Sequence, residues 1–542
     1  MTKSAESSTC ADGISSRDSR NAEMQTPETE EVTRSITGWR WWLVVLGVLS
    51  TALLFSLDNS IVADVQPKIV GTFGDVEKLP WLSVAFALGS AATTLIWAAI
   101  YTAFDAKYNY IVAVLLFEIG SAICGAANMM DVLIFGRALA GLGGSGLYVG
   151  VLTLLSALTT PKERPLYVAS TGLIWGLGSV LGPIIGGAFA DSPATWRWSF
   201  YINLVVAAVF APVYVFMIPS VDPQPGRPLA DRAIKFDFIG AILIMGTFGC
   251  GITGLSFGGS SYAWDSATII VLLVVSVVLL IAFGIQQVWC LGTSPSGRLL
   301  PVQYFGNRTL FLMFILNALA AAPIFVPVYF LSLYFQFARG DDAMEAAVRL
   351  LPFMCMVVFF SLLNGAAMGK KGYYAPWFLV ASAVAVAGST LMFIVDEFTS
   401  KSRIYGYSAL LGAGAGSIVQ TGFIVAQAVV PRSEMSSAVA FINLAQIGGL
   451  VLCLTLSNSI FLNLATGYLA DALPMASNSD ILAAISGTGS ELIASMSADL
   501  RGAAISAVSK AVSRTYCLCI ATSALQLLLS LALKWECVVL EM

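Results

Sequence analysis

The sequence has no histidine among its 542 residues, and only 11% of it is Asp, Glu, Lys or Arg. Without imidazole it lacks the commonest general base, metal ligand and neutral-pH sensor, so any proton transfer must run through carboxylates. No Gly-x-x-x-x-Gly-Lys-Ser/Thr stretch occurs, which excludes a P-loop as the energy source. No basic block, and no interleaving of basic with aromatic residues, points to nucleic acid. No metal-site spacing is present, and neither a metal, a cofactor nor an enzymatic activity is expected. Nine cysteines occur, but Cys124, Cys250, Cys355 and Cys453 lie inside apolar runs, where a thiol is expected to pack rather than to form a disulfide.

What the chain has instead is apolar length. Hydrophobic residues make up 57% of it and the mean hydropathy is +0.82, which would give an insoluble surface in water. A bilayer core about 30 Å thick needs roughly 20 apolar residues per helical crossing. Fourteen such stretches occur, and spans are predicted at 40–62, 79–101, 109–128, 132–157, 167–190, 198–218, 236–256, 266–290, 310–335, 346–368, 374–395, 404–430, 437–463 and 515–534. An even number puts both chain ends on one face. Lys107, Lys162, Arg164, Arg227, Arg232, Lys235, Arg298, Arg308, Lys370, Lys371 and Arg432 fall in loops on that face, which the positive-inside rule makes cytoplasmic. The opposite loops are more acidic, with Asp75, Glu77, Asp265, Asp341, Asp342, Asp396 and Glu397 beside Lys78, Lys401 and Arg403. The sequon Asn307-Arg308-Thr309 then lies in a cytoplasmic loop and is expected to stay unmodified.

Residues 1–38 are rich in Ser, Thr and Glu, which predicts a disordered cytoplasmic tail with no cleavable signal peptide before the first span. The resulting plan is a six-helix block over 39–218, a proline-punctuated cytoplasmic loop at 219–235, an extra helix pair over 236–292 and a cytoplasmic loop at 293–309. A second six-helix block over 310–535 contains a partly helical extracellular loop at 464–514, and 536–542 form a short cytoplasmic tail.

Several residues carry chemistry within this frame. Gly178, Gly182 and Gly186 put a side-chain-free stripe on one face of the fifth span, with Gly187 beside its end, and Pro183 removes a backbone donor and bends it. Asp58, in the first span, must be protonated, paired or facing a wet cavity, because an unpaired carboxylate in hydrocarbon costs several kcal/mol. A rise of about 1.5 Å per residue puts Arg137 of the fourth span at a compatible depth, as the functional partner of Asp58 or one half of a static ion pair. Glu118, deep in the third span, either takes part in proton coupling or hydrogen-bonds a neighbouring helix. Asn317, Gln336, Asn364, Gln420, Gln427, Asn443 and Gln446 are polar candidates for a substrate cavity, and Trp175, Phe325, Tyr329 and Phe423 are candidates for its apolar lining.

Over about residues 40–535 the chain resembles the major facilitator superfamily, and within it the fourteen-span drug:proton antiporter branch of filamentous fungi. Trp196-Arg197-Trp198-Ser199-Phe200-Tyr201-Ile202-Asn203-Leu204 looks like that branch's opening signature of the sixth span, and Gly178 to Gly187 resembles its antiporter motif. Leu57-Asp58-Asn59-Ser60-Ile61-Val62 is similar to the family's first-helix motif, with Ser60 where Thr is usual. Gly136-Arg137-Ala138-Leu139-Ala140-Gly141-Leu142-Gly143-Gly144 is similar to its fourth-span motif, with Ala140 where Gln is frequent. One departure stands between spans 2 and 3, where the family's intracellular latch is reduced to Asp105 and a displaced Lys107 as candidates for an inner gate. The resemblance implies an all-α polytopic membrane protein of the major facilitator fold, with two six-helix bundles, two extra helices and 14 transmembrane helices. It implies a monomer of the plasma membrane whose partners are lipid, protons and a small-molecule substrate, exporting a toxin, drug or secondary metabolite with Arg137 in proton coupling. A proton-coupled importer of the siderophore-carrier type shares the layout, and a non-transporting membrane sensor is the reading from another class.

Overall fold

The computed structural model describes residues 36–535 apart from 76–77, 79–80, 161, 191, 260–261, 296, 342, 432–433 and 474–497. Nearly all of the expected disordered tail at 1–38, the centre of the expected loop at 464–514 and the tail at 536–542 lie outside the described residues. Among the described residues, fourteen helical segments are long and apolar enough to cross a membrane: Trp39–Val62, Trp81–Ala103, Ala106–Ala126, Met130–Leu158, Arg164–Ala190, Trp198–Met217, Phe238–Phe257, Ala267–Trp289, Arg308–Arg339, Leu351–Lys370, Ala375–Phe393, Lys401–Val429, Ser437–Ala472 and Leu500–Ser530. We number them spans 1 to 14. The fold is all-α, two six-helix bundles plus an extra helix pair, with no strand among the described residues beyond an isolated bridge between Gly258 and Tyr262. Fourteen crossings put residues 36 and 535 on one face, the near face, and leave the opposite one as the far face.

Glycine sets how closely the helices of the first bundle approach. A Cβ on Gly120 would strike the backbone of Ala140, one on Gly143 that of Phe117, and one on Gly141 that of Phe86, so span 4 touches spans 2 and 3 backbone to backbone. Lipid gives helices no hydrophobic reason to associate, and this close approach supplies the dispersion contacts that do. The second bundle repeats the device, with Gly414 against Ala385 and Gly416 against Val357.

Spans 7 and 8 lie across the seam between the bundles. Ile252 and Phe257 of span 7 and Ile269 of span 8 pack with Val84 and Ala91 of span 2, and with Ile447 and Val451 of span 13. Closer to the near face, Ala241, Ile244 and Phe283 cluster with Leu95 and Leu444. The other side of span 8 exposes Val271, Val274, Val278 and Ile281, a surface suited to lipid. At the near end of the pair Asp237 is wholly buried and invisible to a hydropathy reading. It accepts hydrogen bonds from Gln286 Nε2 at 2.9 Å, Gln287 Nε2 at 2.5 Å and the Gly240 N–H at 2.8 Å. Gln287 Oε1 in turn accepts from the Leu300 N–H at 2.8 Å, so one carboxylate caps span 7 and ties both helices to the loop that follows.

Three boundaries differ from the sequence expectation. The helix Met435–Ala472 runs into the segment 464–514 from one side and Ala498–Ser530 from the other, so both ends of that expected loop are helical. Packing explains it: Phe461, Ala465 and Leu469 share an apolar cluster with Ala504, Val508, Ala511 and Val512, a small-residue contact that hydropathy averaging undervalues. Span 10 begins at Leu351, and the residues before it form a separate helix, Ala343–Arg349, whose Arg349 pairs with Asp341. Span 12 is interrupted at Gln420, between Lys401–Val419 and Thr421–Val429. The seven described cysteines are all free.

Candidate functional site

Asp58 and Arg137, at 0% and 1% exposed, form an ion pair between the guanidinium and Asp58 Oδ2. Arg137 Nε also donates to the Leu82 carbonyl at 3.0 Å, and its guanidinium lies over the Phe86 ring at 4.3 Å. Asn203 Nδ2 donates to the other carboxylate oxygen at 3.2 Å and to Ser121 Oγ at 3.1 Å. Four spans thereby meet on one acid: span 1 carries it, span 4 neutralises it, and spans 3 and 6 complete the shell. Asn203 is the member that sequence reasoning missed as a partner, although it sits in the quoted Trp196–Leu204 signature. Arg197 of that signature donates to the Gly125 and Ala127 carbonyls at 2.8 and 2.5 Å, closing the end of span 3. Glu118 does not hydrogen-bond a neighbouring helix: both carboxylate oxygens are buried without a partner. It lies one turn before Ser121 and within electrostatic range of Asp58.

The antiporter stripe packs on span 1 beside this network. A Cβ on Gly178 would meet Ser56 Cβ at 2.6 Å, one on Gly182 would strike Ser60 Oγ and come within 3.0 Å of the Ile61 nitrogen, and one on Gly186 would meet Ile61 Cγ1 at 2.8 Å. Ser60 Oγ donates to the Gly178 carbonyl at 3.0 Å, a hydroxyl bridging the two helices. Gly187, the motif's last glycine and off that face, has nothing within 4 Å of where its Cβ would be.

The cavity lies between the bundles. A chamber of about 110 Å³ is lined by Phe55, Phe86, Tyr148, Trp175 and Phe325, and by the amides of Asn59, Gln420, Asn443 and Gln446. It continues into a second of about 380 Å³ that reaches Ser83 at the start of span 2, Ser256 at the end of span 7, and Tyr329 and Gln336 in the last part of span 9. All of those are far-face positions, so the cavity opens there. On the near face the bundles touch: Ser361 Oγ donates to the Ala169 carbonyl at 3.5 Å, Ser156 Oγ to Gln427 Oε1 at 2.6 Å, and a Cβ on Gly365 would meet Ala169 at 2.6 Å.

Not every candidate reaches this space. Asn317 is spent on the Ile442 carbonyl at 3.3 Å, Asn364 on Ser417 and Thr421, and Phe423 is packed in the core. The N-terminal bundle contributes Phe55, Asn59, Phe86 and Tyr148, which no charge or motif had flagged as lining. Among the described residues neither chamber is lined by Asp, Glu, Lys or Arg. Asn443, 1% exposed, has neither side-chain nitrogen nor oxygen bonded, and Gln420 Oε1 is also unpartnered. Phe86 joins the two halves of the site, since it lines the cavity and covers Arg137.

Asp105 and Lys107 do not pair as a gate. Asp105 caps span 3 through the Lys107 N–H at 2.8 Å and accepts from Ser220 Oγ, while the Lys107 side chain has no partner among the described residues. The loop after span 6 straps over this corner instead. Arg232 donates to the Ala103 carbonyl at the end of span 2 and pairs with Asp222 through bonds of 2.8 and 3.0 Å. The Arg232 guanidinium holds the Asp222 carboxyl below the usual carboxylate range. A depressed native pKa means the strap's contribution is present above the ordinary value and is lost as pH falls through the lowered one.

A family model described as the Major Facilitator Superfamily matches residues 48–454. The chain is 46% identical over 514 residues to the MFS-type transporter pgmG of Aspergillus terreus, covering 95% of this chain and 92% of that one. It is 43% identical over 518 residues to the efflux pump alnA of Emericella nidulans, covering 95% and 94%. Among solved structures, the human organic anion transporter MFSD10 aligns with a TM-score of 0.54 at 12% identity, over 90% of this chain and all of that one, a likeness of fold alone. With the fourteen spans, the glycine stripe and the buried Asp58–Arg137 pair already in place, these matches settle the lineage: the chain belongs to the major facilitator superfamily.

Proposed function

We propose that the protein is a proton-coupled exporter of the plasma membrane, acting as a monomer on a small, amphipathic organic compound that carries no net charge. The observation that carries this reading is the arrangement at Phe86, one ring between a buried, titratable ion pair and an uncharged cavity. Protonation of Asp58 weakens its hold on Arg137, and the displaced guanidinium acts on Phe86 and, through span 1, on Asn59 in the cavity wall. Cargo and proton thus bias the same pair of bundles without touching. The efflux name carried by one relative supports the outward direction, and a toxin, drug or secondary metabolite fits a wall of aromatic rings and amides. The positive-inside distribution supports a cytoplasmic near face.

The cargo's neutrality follows from desolvation. A charge brought into a cavity without a countercharge costs several kcal/mol, whereas Asn443 and Gln420 offer unused donors and acceptors to carbonyls and hydroxyls. In proteoliposomes with an imposed proton gradient, a neutral coumarin probe is expected to move at least about tenfold faster than its trimethylammonium or carboxylate analogue. Equal rates for the three would refute an uncharged cargo. Sidedness has its own test. Phe398, 86% exposed in a far-face loop, is expected as Phe398→Cys to react with an impermeant thiol reagent on intact cells. Labelling only after permeabilisation would invert the topology.

A further inference from the structure

At the near face, under the extra helix pair, lies a cavity of about 770 Å³ that shares no lining residue with the two chambers between the bundles. Its wall brings together Arg227, Arg232 and Lys235 from the loop after span 6, Arg298 from the loop after span 8, and Glu434 from the start of span 13. Arg232 is neutralised by Asp222, and Glu434 accepts a hydrogen bond from Tyr304 at 2.8 Å. Among the described residues, four cations against two carboxylates leave two positive charges uncompensated. Arg227, Lys235 and Arg298 have no carboxylate partner among the described residues: Arg227 reaches Gln224 Oε1 at 3.2 Å, Arg298 reaches the Gln287 carbonyl and Gln303, and Arg298 Nε is buried with no acceptor.

Position says what supplies the missing anion. Ala103 ends span 2, Lys235 stands three residues before span 7 begins at Phe238, and Tyr304 four before span 9 begins at Arg308. The cavity is therefore at the depth of lipid headgroups, where basic pockets between helices collect anionic phosphates. Leu229, Ile234 and Phe238, exposed by 67%, 79% and 63%, lie along the same loop and helix start and offer an apolar path for acyl chains, which a soluble anion would not need. We propose that this cavity binds a phosphate monoester, carried as the headgroup of a membrane lipid such as phosphatidate. A monoester near neutral pH bears close to two negative charges, which matches the uncompensated pair. Arginine forks fit its oxygens in bidentate fashion.

The full-length protein, reconstituted in phosphatidylcholine nanodiscs doped with phosphatidate or phosphatidylserine and released for native mass spectrometry, tests this. The expected result is one retained phosphatidate, held in preference to phosphatidylserine and undisturbed by millimolar inorganic phosphate. Combined Arg227→Gln, Lys235→Gln and Arg298→Gln is expected to cut retention by about tenfold or more, and Arg308→Gln, on the same face outside the cavity, to leave it unchanged. Equal retention by parent and triple variant, or equal retention of both lipids by the parent, overturns the site. Displacement by inorganic phosphate overturns the lipid source and assigns the cavity to a soluble phosphate compound. Because the two-lipid comparison uses the parent protein, a triple variant that fails to fold still leaves a decisive measurement.

Discussion

Asp58→Asn is expected to abolish proton-driven transport and to destabilise the protein at the same time. The substitution keeps the acceptor for Asn203 and the shape of the side chain but leaves Arg137, 1% exposed, without its countercharge. Removing one partner of a buried ion pair costs about 3–5 kcal/mol, because the remaining charge is stranded in low dielectric. Loss of activity alone would not separate coupling from structure, so the decisive protein is the double variant Asp58→Asn, Arg137→Gln. Two neutral amides remove the stranded charge, and most of the thermal stability should return. Proton-driven movement should not return, since nothing in that shell titrates. A double variant that regains both stability and gradient-driven transport in liposomes would show the pair to be a structural staple and move coupling elsewhere. Glu118, whose carboxylate oxygens are buried and unpartnered in span 3, would be the next group to test.

Gly182→Leu is the second large effect. The new side chain would enter a contact already occupied by Ser60 and by the backbone nitrogen of Ile61, and backbone cannot step aside as a flexible side chain can. Overpacking of this kind costs typically about 1–3 kcal/mol, enough to shift a two-state equilibrium by roughly ten- to a hundredfold. The variant should reach the membrane, lose export and raise the cell's content of cargo. Gly187→Leu is the internal control: its Cβ meets nothing within 4 Å, and transport should stay near the parent level. Should cells carrying Gly182→Leu hold less cargo than cells with the parent protein, the direction of transport is inward and the exporter reading fails.

Much of this was legible in the residues because the bilayer imposes length. Fourteen runs of about 20 apolar residues can be counted, and counting rise per residue from the ends places Asp58 and Arg137 at one depth. A charge in an apolar run announces itself. Asn203 did not, because an amide inside Phe200-Tyr201-Ile202-Asn203 carries no charge and its partners lie 145 and 82 residues away in sequence. Asp237 escaped for a related reason: it stands at the boundary of a span, where an acid reads as loop until Gln286 and Gln287 are seen closing over it. The helical ends of 464–514 were obscured by alanine, whose small size makes good helix contacts but low hydropathy contrast. The cavity wall was the least readable part, since Asn317 and Asn443 look alike in sequence and only packing decides which is used up on a carbonyl.

The extra pair has a consequence for the physics of a greasy cargo. A compound that dissolves readily in lipid can escape sideways from any transporter whose two halves part along a seam. It then re-enters the cytosolic leaflet and makes the cycle futile. Spans 7 and 8 cover the seam between spans 2 and 13 along its length, from Phe257 at one end to Phe283 and Ala241 toward the other. A wall there converts a slot into a tube on that side, so a bound molecule is discharged to the aqueous phase against its own partition coefficient. For the proton-coupled exporter proposed above, the work per proton would then be a transfer from lipid to water as well as a climb in concentration. In the exporter proposed above, the two added helices would then determine which membrane-soluble compounds the cycle can hold on the far side.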